Sequence, residues 1–119
     1  MRTTTRRIET TRLESWALPG VPDVLLCGEG GVFSFLELKA QKSAVGKVDL
    51  SPHQVAWLSR HASGPCFIVV RDSSLNIRVF AGSDVVDLRM DGLAAVSPLA
   101  TFEEPYDWET FFLLTSPAE

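Results

Sequence analysis

The chain predicts an α/β (α+β) fold, with a central mixed sheet of about four strands flanked by helices. Three observations predict it. Short apolar runs over 24–27, 32–38, 66–70 and 75–80 are bounded by glycine, proline or polar turn residues, as strands are. A helical stripe of Val55, Leu58 and Ala62 follows Ser51-Pro52-His53-Gln54, a helix start with its own cap. The runs at 32–38 and 66–70 are apolar on both faces, so both faces need cover. All 119 residues read as one domain, with a core over about 8–82 and a C-terminal extension over 83–119.

The elements follow in order. Ile8, Leu13 and Trp16, with Glu9 and Glu14 between them, predict a short helix over 3–16. Leu18-Pro19-Gly20-Val21-Pro22 stops it, because two prolines around a glycine demand an extended or turning chain. Val24–Cys27 is a strand, 28–31 a glycine-rich reversal and Val32–Leu38 the next strand, which together make a hairpin. Residues 40–50 read as a mobile loop carrying Lys42 and Lys47. Ser51 caps the following helix, Pro52 takes its first position, Gln54 completes a capping box, and Gly64-Pro65 ends it. Strands over 66–70 and 75–80 flank a turn at Asp72-Ser73-Ser74. Ser83 caps a short helix through Met90, residues 93–104 read as a loop, and a terminal helix starts near Pro105 with Trp108, Phe111 and Phe112 inward.

Composition bounds the function. With 45% apolar and 22% charged residues the chain has the make-up of an ordinary soluble globular protein. No apolar run approaches the roughly 20 residues of a membrane span, and the polar N-terminus is unlike a secretory signal, so an intracellular, non-membrane protein is expected. Cys27 and Cys66 lie far apart inside apolar runs and read as reduced core thiols. The net charge of −4 excludes a strongly basic nucleic-acid coat. The charge is uneven, however: residues 1–60 hold eight Lys/Arg against six Asp/Glu, and residues 61–119 hold three against nine. Bound phosphate would therefore be met by the first half, although such asymmetry is also common on solvated surfaces.

The chemistry-bearing pattern is Gly20-Val21-Pro22-Asp23 followed fourteen residues after Asp23 by Glu37-Leu38-Lys39. Two acids and a lysine stand at the ends of neighbouring apolar runs, where charge is costly without a partner or a task. Carboxylates are the hard oxygen ligands that Mg2+ prefers. Lys39 shares the strand face of Glu37, because strand side chains repeat every second residue. This layout suits metal-assisted phosphodiester cleavage; its plain alternative is a Glu–Lys surface pair where the strand meets solvent.

Taken in order, Glu14, Gly20–Asp23, Phe35–Lys39, Leu50–Gln54 and the strand 67–70 resemble the PD-(D/E)XK nuclease superfamily. Within it, the chain is most similar to small VRR-NUC and Holliday-junction-resolvase-like proteins common in phages. The resemblance implies a restriction-endonuclease-like core and a Mg2+- or Mn2+-dependent DNA endonuclease, acting on branched, flap or nicked DNA. It implies Asp23 and Glu37 as metal ligands with the Leu38 backbone carbonyl, Lys39 beside the attacking water, and Glu14 as an additional acid. Glu9 rivals Glu14 for that role. Gln54 matches a site glutamine of some branches, or only closes the capping box. Arg6, Arg7, Arg12, Lys42, Lys47 and His53 are candidate DNA contacts, each with a plain solvated alternative. Trp57 and Trp108 read as packing residues and His61 as structural. Resolvase-like relatives are often homodimers, so the acidic extension reads as a dimerisation element or a lid. Two other functions stand beside this one: a non-catalytic DNA-binding module, which would have a broken metal set, and an unrelated α/β interaction protein.

Overall fold

The computed structural model describes residues 8–13, 19–28 and 30–116. Six strands form one sheet: β1 (Glu9–Arg12), β2 (Val24–Cys27), β3 (Phe33–Ala40), β4 (Cys66–Arg71), β5 (Ile77–Ala81) and β6 (Ala100–Phe102). They lie side by side in chain order. Every neighbouring pair is antiparallel except β3 and β4. A parallel pair needs a long crossover, and here residues 41–51 and helix α1 (Pro52–Arg60) supply it. Helices α2 (Val85–Met90) and α3 (Trp108–Thr115) complete the fold. The α/β class and the mixed sheet flanked by helices are those the sequence predicts.

The sheet divides the core in two. On one face Val48, Leu58, Ile68, Val70, Phe80 and Leu88 pack together, with Phe35 and Trp57 against them. On the other Leu26, Leu36, Val69, Val79, Phe102 and Phe111 form a second cluster. Alternate residues of β3 and β4 feed both clusters, which is why those runs are apolar throughout.

Helix α1 starts as its sequence predicts. The Ser51 hydroxyl accepts from the Gln54 N–H at 3.1 Å, and the Gln54 side-chain oxygen accepts from the Ser51 N–H at 3.0 Å. The β2–β3 hairpin also forms, with Val24 opposite Leu36 and Cys27 opposite Phe33.

Four expectations change. Residues 9–12, expected in a helix, form a strand: Thr10 and Thr11 are β-branched and the free edge of β2 pairs with them. Residues 3–7 and 14–16 of that expected helix lie outside the described residues. Six strands replace about four, because β1 and β6 add to the edges, and β6 comes from a stretch expected to be loop. The 41–47 loop is tied down where mobility was expected. Gly46 and Val45 carbonyls accept from Leu93 and Ala94 N–H groups, and Arg78 donates to the Ala44 carbonyl at 2.7 Å. The last helix begins at Trp108, three residues after Pro105, where the Asp107 carboxylate accepts from the Thr110 N–H at 3.1 Å.

Candidate active site

Asp23 sits just before β2, where Pro22 has no N–H to continue the ladder. The main-chain carbonyl of Asp23 accepts from Leu13 at 2.7 Å, which closes the end of β1 against β2. Its side chain reaches the other way, and Oδ2 accepts the Leu38 N–H at 3.0 Å. The carboxylate thus extends the hairpin by one side-chain rung and is held beside Glu37. Gly20 sets the approach of this segment. Its φ is +91°, and an added Cβ would overlap the His53 carbonyl oxygen. Only glycine lets the turn lie directly on the first turn of α1.

Glu37 faces the α1 side of the sheet and is 1% exposed. Its Oε2 accepts from the Gln54 amide at 3.0 Å and lies 3.7 Å from Lys39 Nζ. Lys39 in turn donates to Gln54 Oε1 at 3.1 Å. Gln54 therefore fills both of the roles the sequence left open: one amide closes the capping box and bridges the acid to the lysine. The second Glu37 oxygen, Oε1, is buried with no hydrogen-bond partner. Burial pushes the Glu37 carboxyl up to about 8, the nearby Asp23 charge pushes in the same direction, and Lys39 only partly offsets them.

Two carboxylates beside each other, one with an unpartnered buried oxygen, fit a divalent cation: a hard positive charge would satisfy the orphan oxygen and relieve the repulsion. The described residues supply just these two acids, since no three His, Cys, Asp or Glu side chains converge among them.

The other sequence candidates separate. Glu14, Arg6 and Arg7 lie outside the described residues. Glu9 is opposite Cys27 while Arg12 is opposite Val24, so Glu9 stands at the far end of β1, roughly 13 Å along the strand from Asp23. It is too remote to be the additional acid. Lys42 and Lys47 are exposed on the pinned loop, and His53 is exposed on the first turn of α1. Trp57 packs against Phe35 and stacks on His61 at 3.9 Å between ring centroids.

Sequence reasoning missed a groove on the opposite face. Its volume is about 740 Å3, and Arg12, Asp23, Leu38, Lys39, Arg71 and Trp108 are among its walls. Trp108, expected to be packed away, makes tilted and edge-on ring contacts with Tyr106, Phe111 and Phe112 but stays 48% exposed. The sequence carried no signal for this: Trp108, Phe111 and Phe112 stand at i, i+3 and i+4, the spacing of one buried helix face.

No protein-family model matches the chain. No curated protein matches it. Among solved structures it is similar to Hjc, a Holliday junction resolvase of the archaeal hyperthermophile Archaeoglobus fulgidus, with 20% identity and a TM-score of 0.47 over 63% of this chain. The chain spans 64% of the length of that protein. Among the described residues no helix is long and apolar enough to cross a membrane.

Proposed function

We propose that this chain is a divalent-metal-dependent endonuclease of the PD-(D/E)XK type, hydrolysing phosphodiester bonds in branched, flap or nicked DNA. The observation that carries the reading is the buried Glu37 carboxyl. It has one oxygen tied to Gln54 and Lys39, one oxygen unpartnered, and Asp23 beside it. A divalent cation would engage the open Glu37 oxygen and let both carboxyls ionise together, which Lys39 alone does not achieve.

Asp23 and Glu37 would hold Mg2+ or Mn2+, with the Leu38 carbonyl as the ligand implied by the sequence resemblance. When bound, such an ion polarises a phosphoryl oxygen and eases deprotonation of the attacking water. The chain's own residues do the positioning. Asp23 is fixed by its bond to the Leu38 N–H and Glu37 by the Gln54 amide. Lys39, 22% exposed, keeps its ammonium at the solvent edge of the pair, where it can meet a phosphate and offset the negative charge that develops on it. Water oxygen attacks phosphorus, the bond to the leaving sugar oxygen breaks, and that oxygen ends protonated. Glu14 would add a further acid, and Lys42, Lys47 and His53 would contact the DNA backbone.

The test is cleavage of linear duplex, supercoiled plasmid, single strand, flap and four-way junction in Mn2+ and in EDTA. Wild-type protein should cut in Mn2+ only. Asp23→Asn, Glu37→Ala and Lys39→Ala should each reduce cutting by about 100-fold or more while the protein stays folded. Full activity in any of them sinks the site. Binding without cutting by the wild type would move the reading to the non-catalytic module.

A further inference from the structure

The groove on the α3 face opens beside the proposed metal site, yet no step above uses it. Asp23, Leu38 and Lys39 border both. Its floor is apolar, with Leu36 and Val69 from the sheet, and Phe112 and Trp108 stand along the α3 side. Leu38 is 43% and Trp108 48% exposed, so two large apolar side chains face solvent at one opening. Water contact there is unfavourable, at about 25 cal/mol for each Å2 left uncovered.

The rim carries charge of one dominant sign. Among the described residues, Arg12, Lys39 and Arg71 line the groove with one acid, Asp23, in a chain whose net charge is −4. A greasy, aromatic floor inside a cationic rim complements a flat π-face joined to phosphates. An apolar peptide would use the floor and bring no negative charge to Arg71. The volume of about 740 Å3 lies in the usual range for small-ligand pockets, about 300–1,000 Å3.

We infer that this groove takes one unpaired nucleobase of the substrate strand, next to the phosphate at Asp23, Glu37 and Lys39. The inference rests on the nuclease reading and deepens it. Trp108 and Phe112 would stack the base, and Arg71 would hold a flanking phosphate. A base in continuous duplex must first unstack to enter, at a cost of a few kcal/mol, whereas one in a flap or gap enters freely. The groove would thereby select for unpaired DNA.

The experiment places 2-aminopurine at the first unpaired position of a flap and follows its fluorescence as protein is added in Ca2+. Labelled flap and continuous duplex are titrated in parallel. Wild-type protein should quench the probe and bind flap more tightly than duplex. Trp108→Ala should lose about ten-fold or more on flap with little change on duplex, and Trp108→Phe should recover most of it. Arg71→Ala should weaken both and lower the slope of log K against log salt by about one. Because Trp108 also packs on its neighbours, the quench in the wild type tests the idea without any variant. Mn2+-dependent cutting that is lost in Glu37→Ala, with no quench on a bound flap, sinks the groove assignment and leaves the nuclease intact. Neither cutting nor binding sinks both. Self-association that Trp108→Ala abolishes, again with no quench, gives the groove to a second copy of the chain.

Discussion

Glu37 and Asp72 are both buried carboxylates, 1% and 4% exposed, each with one oxygen that makes no hydrogen bond, and the fold balances their charge differently. Asp72 follows β4 and is held by the turn backbone and by an arginine. Its Oδ1 accepts from the Ser74 and Asn76 N–H groups at 2.9 and 3.1 Å, and its Oδ2 faces Arg78 at 3.5 Å. Glu37 receives one amide and a lysine shared with that amide, and has another acid as its neighbour. Asp72 stabilises a turn. Glu37 is left with an unmet demand for positive charge, and that demand marks the site.

The sharpest break in this comparison is catalytic. Changes at Glu37 should remove cutting, whereas Asp72→Asn should leave cutting per folded molecule unaltered. Stability should respond the other way. Asp72→Ala removes the acceptor of two backbone donors and the ion-pair partner of Arg78, and should cost about 3 kcal/mol in urea titration. A loss under about 1 kcal/mol would show that the turn does not depend on it.

Gly20→Ala should come next, at roughly 2 kcal/mol, from a positive φ and overlap with the His53 carbonyl. Its effect on cutting should exceed the fraction unfolded, because the segment carrying Asp23 is displaced while the Asp72 turn is untouched. Equal losses in both measurements would mean that the turn supports the fold alone.

A further effect is in pH. Glu37 holds its proton up to about 8 in the fold, against 4.5 for the unperturbed group. The native state thus binds a proton that the unfolded chain releases. This contribution is complete below about 4.5 and is lost as pH rises through about 8. The Tm of metal-free protein should therefore fall between pH 5 and 8.5, and Glu37→Gln should flatten that slope. An identical slope in the variant would locate the titration elsewhere.

Much of the site was legible because its parts are local. Period-two spacing places Glu37 and Lys39 on one face, and the cap at Ser51 announces itself through Pro52 and Gln54. The hairpin follows from glycines between two apolar runs. What joins these parts is not local. Gln54 meets Glu37 and Lys39 from 17 and 15 residues away, and no spacing rule connects them. Strand β1 was misread because Ile8 and Leu13 suit a helical stripe; pairing with β2 overrides so weak a preference. Strand β6 has three residues, too few for a periodic signal. The groove exists only once β1–β4 and α3 are assembled, so its aromatic wall looked like ordinary packing.

Gln54 also makes the start of α1 and the acid pair thermodynamically inseparable. The amide that receives the Ser51 N–H is the one that grips Glu37 and Lys39. Any event that strengthens the grip on Glu37 must slow fraying of the first helical turn, and fraying there must loosen Glu37 by the same free energy. Slower amide hydrogen exchange at Ser51 and Gln54 would then report occupancy of a site that neither backbone group touches.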